Sequence, residues 1–184
     1  GLIMSLGERG GPIATIEEVA MRAEAGDVAV VTLLSETGDM IGRALAGSVN
    51  EQLLGSGLVY PTYYSKLFVD LRAALTHAVD EARTAGRGVW ADDVTVKGVT
   101  IDSLATLTDD AVVLPKLFRR LVDYLSINNG DASLAGLPAY LATRDDRLVV
   151  VSTGQVTGFD NVLDVDGQTV RMTRPPEDLV FIES

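Results

Sequence analysis

The sequence contains no cysteine and a single histidine, His77. Disulfides, thiolate nucleophiles, cysteine-bound zinc and paired-histidine metal sites are thereby excluded, while the redox compartment stays open. Basic residues are scarce, with 15 Lys and Arg against 26 Asp and Glu and a net charge of −11. Coating nucleic acid without regard to sequence needs a basic face, which argues against that role. A local basic cleft on an acidic body remains compatible with this charge, because fields are set locally. No apolar run approaches the ~20 residues that span a bilayer, and the opening GLIMSLG is too short and uncharged for a signal peptide. No membrane partner is expected, and the localisation stays unassigned. What is present is a 47% hydrophobic composition over 184 residues, enough for one cored domain with or without an appendage.

Residues 11–26 read as a helix, with Pro12 suited to a first helical position and Gly26 to the stop. DVAVVTLL (27–34) is valine-rich and short, which predicts a strand. ETGD (36–39) predicts a turn, and MIGRALAG (40–47) a second strand diluted by Ala and Gly. Ser48 and Glu51 form a capping-box pattern that predicts a helix from 48, ending near Gly55 or Gly57. Residues 66–90 hold the clearest helix, with Leu67, Leu71, Leu75, Ala78 and Ala82 on one stripe and Gly86 and Gly88 as stops. Residues 91–98 are a polar connection.

Further on, 114–126 predicts a helix with Leu117, Leu121 and Leu125 inward, and 133–144 a short helix interrupted at Pro138. Residues 147–153 predict a strand, 161–173 a hairpin turning at Asp166-Gly167, and 179–183 a last strand. TGFDN (157–161) reads as a tight turn. Arg119 and Arg120 can meet phosphate or anchor acidic neighbours, and on so acidic a chain the second is favoured.

Several of these pieces fall in a familiar order. Asp39 shortly precedes Gly42-Arg43; then come Val49-Asn50-x-x-Leu53-x-x-x-Gly57, the tyrosines, a long helix and Gly88-Val89-Trp90. Residues 11–90 resemble the later part of the staphylococcal nuclease-like (thermonuclease) domain. The resemblance implies a five-stranded OB barrel with packed helices, and cleavage of phosphodiester bonds in DNA or RNA with a divalent metal, generally calcium.

By resemblance, Arg43 matches an arginine that grips phosphate from a barrel strand, a task that suits a bidentate, permanently charged guanidinium. Glu8 falls near the water-activating glutamate, and Asp39 stands as a metal ligand. Tyr60, Tyr63 and Tyr64 lie where relatives contact base or phosphate, so stacking is expected of them. Each has a structural alternative. Arg43 serves equally as a structural ion-pair partner, Asp39 as a turn residue, and Glu8, with Arg9, as a solvated chain end. The tyrosines serve as caps on a core. His77 reads as a surface residue and Trp90 as a core anchor.

Only ten residues precede Gly11, where the family carries about three strands. The expected fold is therefore α+β: a partial OB-fold, nuclease-like domain over 1–93, and a mixed helix and strand extension over 99–184 like that of some bacterial nuclease-like proteins. The extension's strands are expected either to form a separate small barrel or to complete the sheet left open by the missing ones. Two functions stand side by side. One is a nuclease-like hydrolase; the other is a catalytically degenerate OB-type module that binds a ligand, a protein partner or a second copy of itself.

Overall fold

The computed structural model describes residues 16–128 and 132–183. The expectations for residues 1–15, Glu8 and Arg9 among them, and for the turn at 129–131 lie outside the described residues. The chain divides into two compact units between Val49 and Asn50. The expected boundary near residues 93–99 falls inside the second of these units.

In the first unit, α1 (Ile16–Glu24) ends at Gly26, which takes φ 77°. The amide of Asp27 then reaches back to the Arg22 carbonyl at 3.0 Å. Asp27 opens α2 (Val28–Gly55), its carboxylate accepting from the amides of Ala29 and Val30 at 3.1 and 3.3 Å. That is helix N-capping at the second and third helical positions. The expected strands 27–34 and 40–47, and the turn between them, are thus helical. A valine-rich run suits either state, and here Asp27 caps it as a helix. Ser48 is accordingly a helix-interior residue and caps nothing. Val19, Val30 and Leu33 form a small core within this unit.

The second unit is α+β. Its elements are β1 (Tyr63–Tyr64), α3 (Val69–Thr84), β2 (Val99–Thr100), α4 (Pro115–Ile127), α5 (Leu137–Ala142), β3 (Arg147–Val150), β4 (Gln155–Gly158), β5 (Leu163–Asp166), β6 (Thr169–Met172) and β7 (Leu179–Phe181). One sheet runs β1-β7-β3-β4 and the other β2-β6-β5. These sheets are small and, among the described residues, neither closes into a barrel.

The hairpin at Asp166-Gly167 forms as expected, pairing Asp166 with Thr169 and Leu163 with Met172. Pro138 falls in the first turn of α5, where a missing N–H costs nothing, so it starts that helix and does not interrupt it. The segment read as the tight turn TGFDN supplies the end of β4 and a 3-10 turn at Phe159–Val162.

β7 shows why 50–93 and 99–184 are one unit. All three of its residues are buried. Leu179 and Phe181 point into a core with Leu148, Leu117, Leu121 and Leu141. Val180 points the other way, into a second core with Tyr63, Leu75, Val79 and Trp90. Alternation along a strand sends neighbours to opposite faces, so β7 is covered on both sides, which is why LVF reads as a continuous apolar run. β1 pairs in parallel with β7, Tyr63 opposite Val180. The C-terminal strands therefore extend through the tyrosine segment, and the second sheet shares the larger core through Ile101, Val170 and Met172.

A polar contact also joins the same halves. Arg83 on α3 forms a forked pair with Glu177, one arm at 2.7 Å, and lies 4.4 Å over the Trp90 ring. Gly57 and Gly88 meet backbone to backbone, the Val89 amide donating to the Gly57 carbonyl at 2.9 Å. A Cβ on Gly88 would stand 2.1 Å from that carbonyl oxygen, and Gly88 also has φ 54°. Glycine is required there on both counts.

Candidate functional site

The tyrosines lie together, but they do different things. The chain leaves α2 through Gly57 at φ 69°, with the Leu58 amide bonded to the Leu53 carbonyl at 3.0 Å. It then runs through 60–62 into β1. Tyr60 packs edge-on against Trp90 with ring centroids 5.0 Å apart, and its hydroxyl donates to Asp93 Oδ1 at 2.6 Å. Burial, and then the bond to the Asp93 carboxylate, raises its pKa far above that of a free phenol. The same carboxylate accepts from the Thr95 hydroxyl at 2.5 Å, and Thr95 Oγ1 in turn accepts from the Leu114 amide at 2.9 Å. Thr95 is the buried polar side chain among the core residues, and this network satisfies it.

Tyr63 is 2% exposed. Its hydroxyl accepts from Thr76 at 3.2 Å, and burial raises its pKa. Tyr60 and Tyr63 are therefore held by the core through most of their rings, the alternative reading of those two residues.

Tyr64 differs. Alternation along β1 turns it to the opposite face, where it is 41% exposed. Its ring leans on Phe181, centroids 6.2 Å apart at 48°. It stands between two clefts. One, of about 470 Å³, is mainly apolar and includes Leu54, Val59, Leu67 and Leu75. The other, of about 530 Å³, is polar and includes Lys116, Arg144, Asp146 and Arg147. Lys66 and Glu183, paired at 3.0 Å, line both.

Asp146 is the electrostatic centre of the polar cleft. Lys116 Nζ lies 3.0 Å from Oδ1, and Arg120 reaches Oδ2 at 2.6 Å. Burial pushes its pKa up, but the bonds from Lys116 and Arg120 together outweigh it and hold the carboxyl below its ordinary value. Arg120 is thus an anchor for acidic neighbours, Asp123 as well as Asp146.

The remaining sequence-derived residues lie elsewhere. Arg43 and Asp39 are one turn apart on α2, on a helix and not on a barrel strand and its preceding turn. Asp39 is exposed. Glu8 lies outside the described residues. His77 is exposed, 3.6 Å from Glu81, and Trp90 is buried as a core anchor. Among the described residues, no three His, Asp or Glu side chains converge as a metal site. Sequence reasoning missed Lys66, Arg144 and Arg147. The signal available was the run Arg144-Asp-Asp-Arg147, which leads into β3. Compared with known families, curated proteins and solved structures, the chain matches none.

Proposed function

We propose that this chain is a nucleic-acid-binding module of the nuclease-like kind, contacting single-stranded DNA or RNA through Tyr64. The observation that supports this is the position of one exposed ring between an apolar cleft and a polar cleft rich in cations. A base has a flat apolar face and a charged backbone beside it, so such a pair of surfaces suits a nucleotide unit. Tyr64 supplies the stacking surface, while Tyr60 and Tyr63 hold the loop that presents it.

Fluorescence anisotropy with a labelled oligothymidylate at low ionic strength tests the proposal. Tyr64→Ala is expected to weaken binding ~10-fold, in the range typical of a single base–aromatic stack, and Tyr64→Phe to retain it. An oligonucleotide that the parent fails to bind, or binds as tightly after Tyr64→Ala, overturns it.

The order of the Gly-Arg, Val-Asn and Gly-x-Trp motifs favours a second reading, hydrolysis. In it Arg43 stabilises charge growing on a phosphate. Release of acid-soluble nucleotides from single-stranded DNA with calcium is the measurement. Loss of release in Arg43→Ala supports hydrolysis; no release by the parent, or equal release by both, removes it.

A further inference from the structure

The polar cleft carries more than the stacking proposal uses. Four cations line it, Lys66, Lys116, Arg144 and Arg147, against three carboxylates, on a chain whose net charge is −11. Two of those carboxylates are already engaged: Asp146 by Lys116 and Arg120, and Glu183 by Lys66. Two arginines and the Asp145 carboxylate then remain. Arg144 is held over the Tyr140 ring, 4.6 Å from its centroid, and bonds that residue's hydroxyl. Arg147 is exposed and makes no ion pair with the described residues. Between them, Asp145 takes φ 51°, a left-handed conformation uncommon for a residue with a Cβ. The Arg147 amide closes the turn onto the Asp145 carbonyl at 2.9 Å.

Guanidinium groups bind phosphate oxygens through paired N–H donors, and a stacked guanidinium has lost much of its freedom already. We propose that the Arg144–Arg147 cleft is a phosphodiester-binding site that continues the same single strand whose base stacks on Tyr64. This rests on the reading above, because Tyr64, Lys66 and Glu183 line both clefts. The C-terminal region is then part of the binding surface and not only a brace for the fold.

The test is the salt dependence of oligothymidylate binding by the full chain, for the parent, Tyr64→Ala, and the double variant Arg144→Ala/Arg147→Ala. Removing one phosphate from the protein's grip lowers the slope of log K against log salt by roughly 0.7 for single strands. The double variant is expected to lose slope and affinity together, and Tyr64→Ala to lose affinity at unchanged slope. Arg171→Ala removes a cation paired with Asp164 on β5, outside this cleft, and should leave the slope alone.

A second arm titrates inorganic pyrophosphate and a short polyglutamate peptide into the parent and follows the backbone amide NMR signals of residues 144–147. This arm is independent of stacking and of the variants' folding. Pyrophosphate is expected to shift those signals and polyglutamate to leave them in place. If the parent binds the oligonucleotide and the double variant keeps the full slope, the phosphate cleft is wrong and the Tyr64 reading stands. Pyrophosphate shifts without oligonucleotide binding would uphold an oxyanion site and remove the stacking reading. Equal shifts with polyglutamate would reassign the cleft to acidic peptides, and no shifts with either probe would overturn it.

Discussion

In residues 16–49 the buried apolar side chains among those described are Val19, Val30 and Leu33, while Val28, Met40, Ile41, Leu45 and Val49 are more than half exposed. In residues 50–183 comparable side chains fill two cores on either face of one sheet. The first region is organised by local signals: a glycine stop, an aspartate cap and the Arg22–Asp27 pair at 2.5 Å. The second is organised by contacts distant in sequence, such as Arg83 with Glu177 and Tyr63 with Val180. The contrast shows two sources of order. A helix satisfies its backbone hydrogen bonds within itself and needs no paired neighbour for them. A strand cannot; β7 exists because β1 and β3 pair with it and both of its faces are covered.

Three substitutions sharpen this comparison. The largest effect is expected from Gly88→Ala, which places a Cβ against the Gly57 carbonyl. It should destabilise residues 50–183 by about 3 kcal/mol, read from urea unfolding, the sum of backbone strain and overpacking. Hydrogen exchange at residues 28–49 should be unaffected. Faster exchange there by the same factor would mean the two regions unfold together.

Asp146→Asn comes next. Its lowered pKa means that its contribution is fully present above the unfolded carboxyl value of 3.8 and is lost as pH falls through the folded value. The parent's Tm should therefore fall steeply below about pH 4, and the variant's should be lower at neutral pH and flatter in acid. The neutral-pH loss is expected to be about 1–2 kcal/mol, since solvent partly screens the cluster. A variant with the parent's acid profile would show that the cluster does not hold the α4 N-terminus to the turn before β3.

The smallest global effect is expected from Asp27→Ala, which removes the cap of α2. Exchange of the amides of residues 28–31 should quicken, with the unfolding midpoint of residues 50–183 unchanged. Equal protection in the variant would show that α2 does not depend on its cap.

Much of residues 50–183 is legible in the chain. The stripe of α3, its glycine stop, α4, the Asp166-Gly167 hairpin and β7 all follow from periodicity and turn chemistry. The strand reading of 27–47 fails because β-branched runs carry no record of whether a partner strand exists, and an aspartate that caps a helix can equally open a strand after a glycine. β1 and β2 are two residues each, too short to have any periodicity. The tyrosines are legible as a group; their separate roles are not. Period-two alternation puts Tyr63 inward and Tyr64 outward only once β1 is known to be a strand beside β7. The cations of the polar cleft come from residues 66, 116, 144 and 147, brought together by the fold of α4 and β3 around β7.

Helix ends, turn positions and the exclusion of cysteine and paired-histidine chemistry were decided within a few residues of chain, because caps, glycine φ angles and ligand atoms are local properties. Which tyrosine meets solvent, which carboxylates are neutralised, and the union of the tyrosine segment with the C-terminal strands were settled by packing. Burial and charge pairing depend on groups that meet only when distant segments fold against each other.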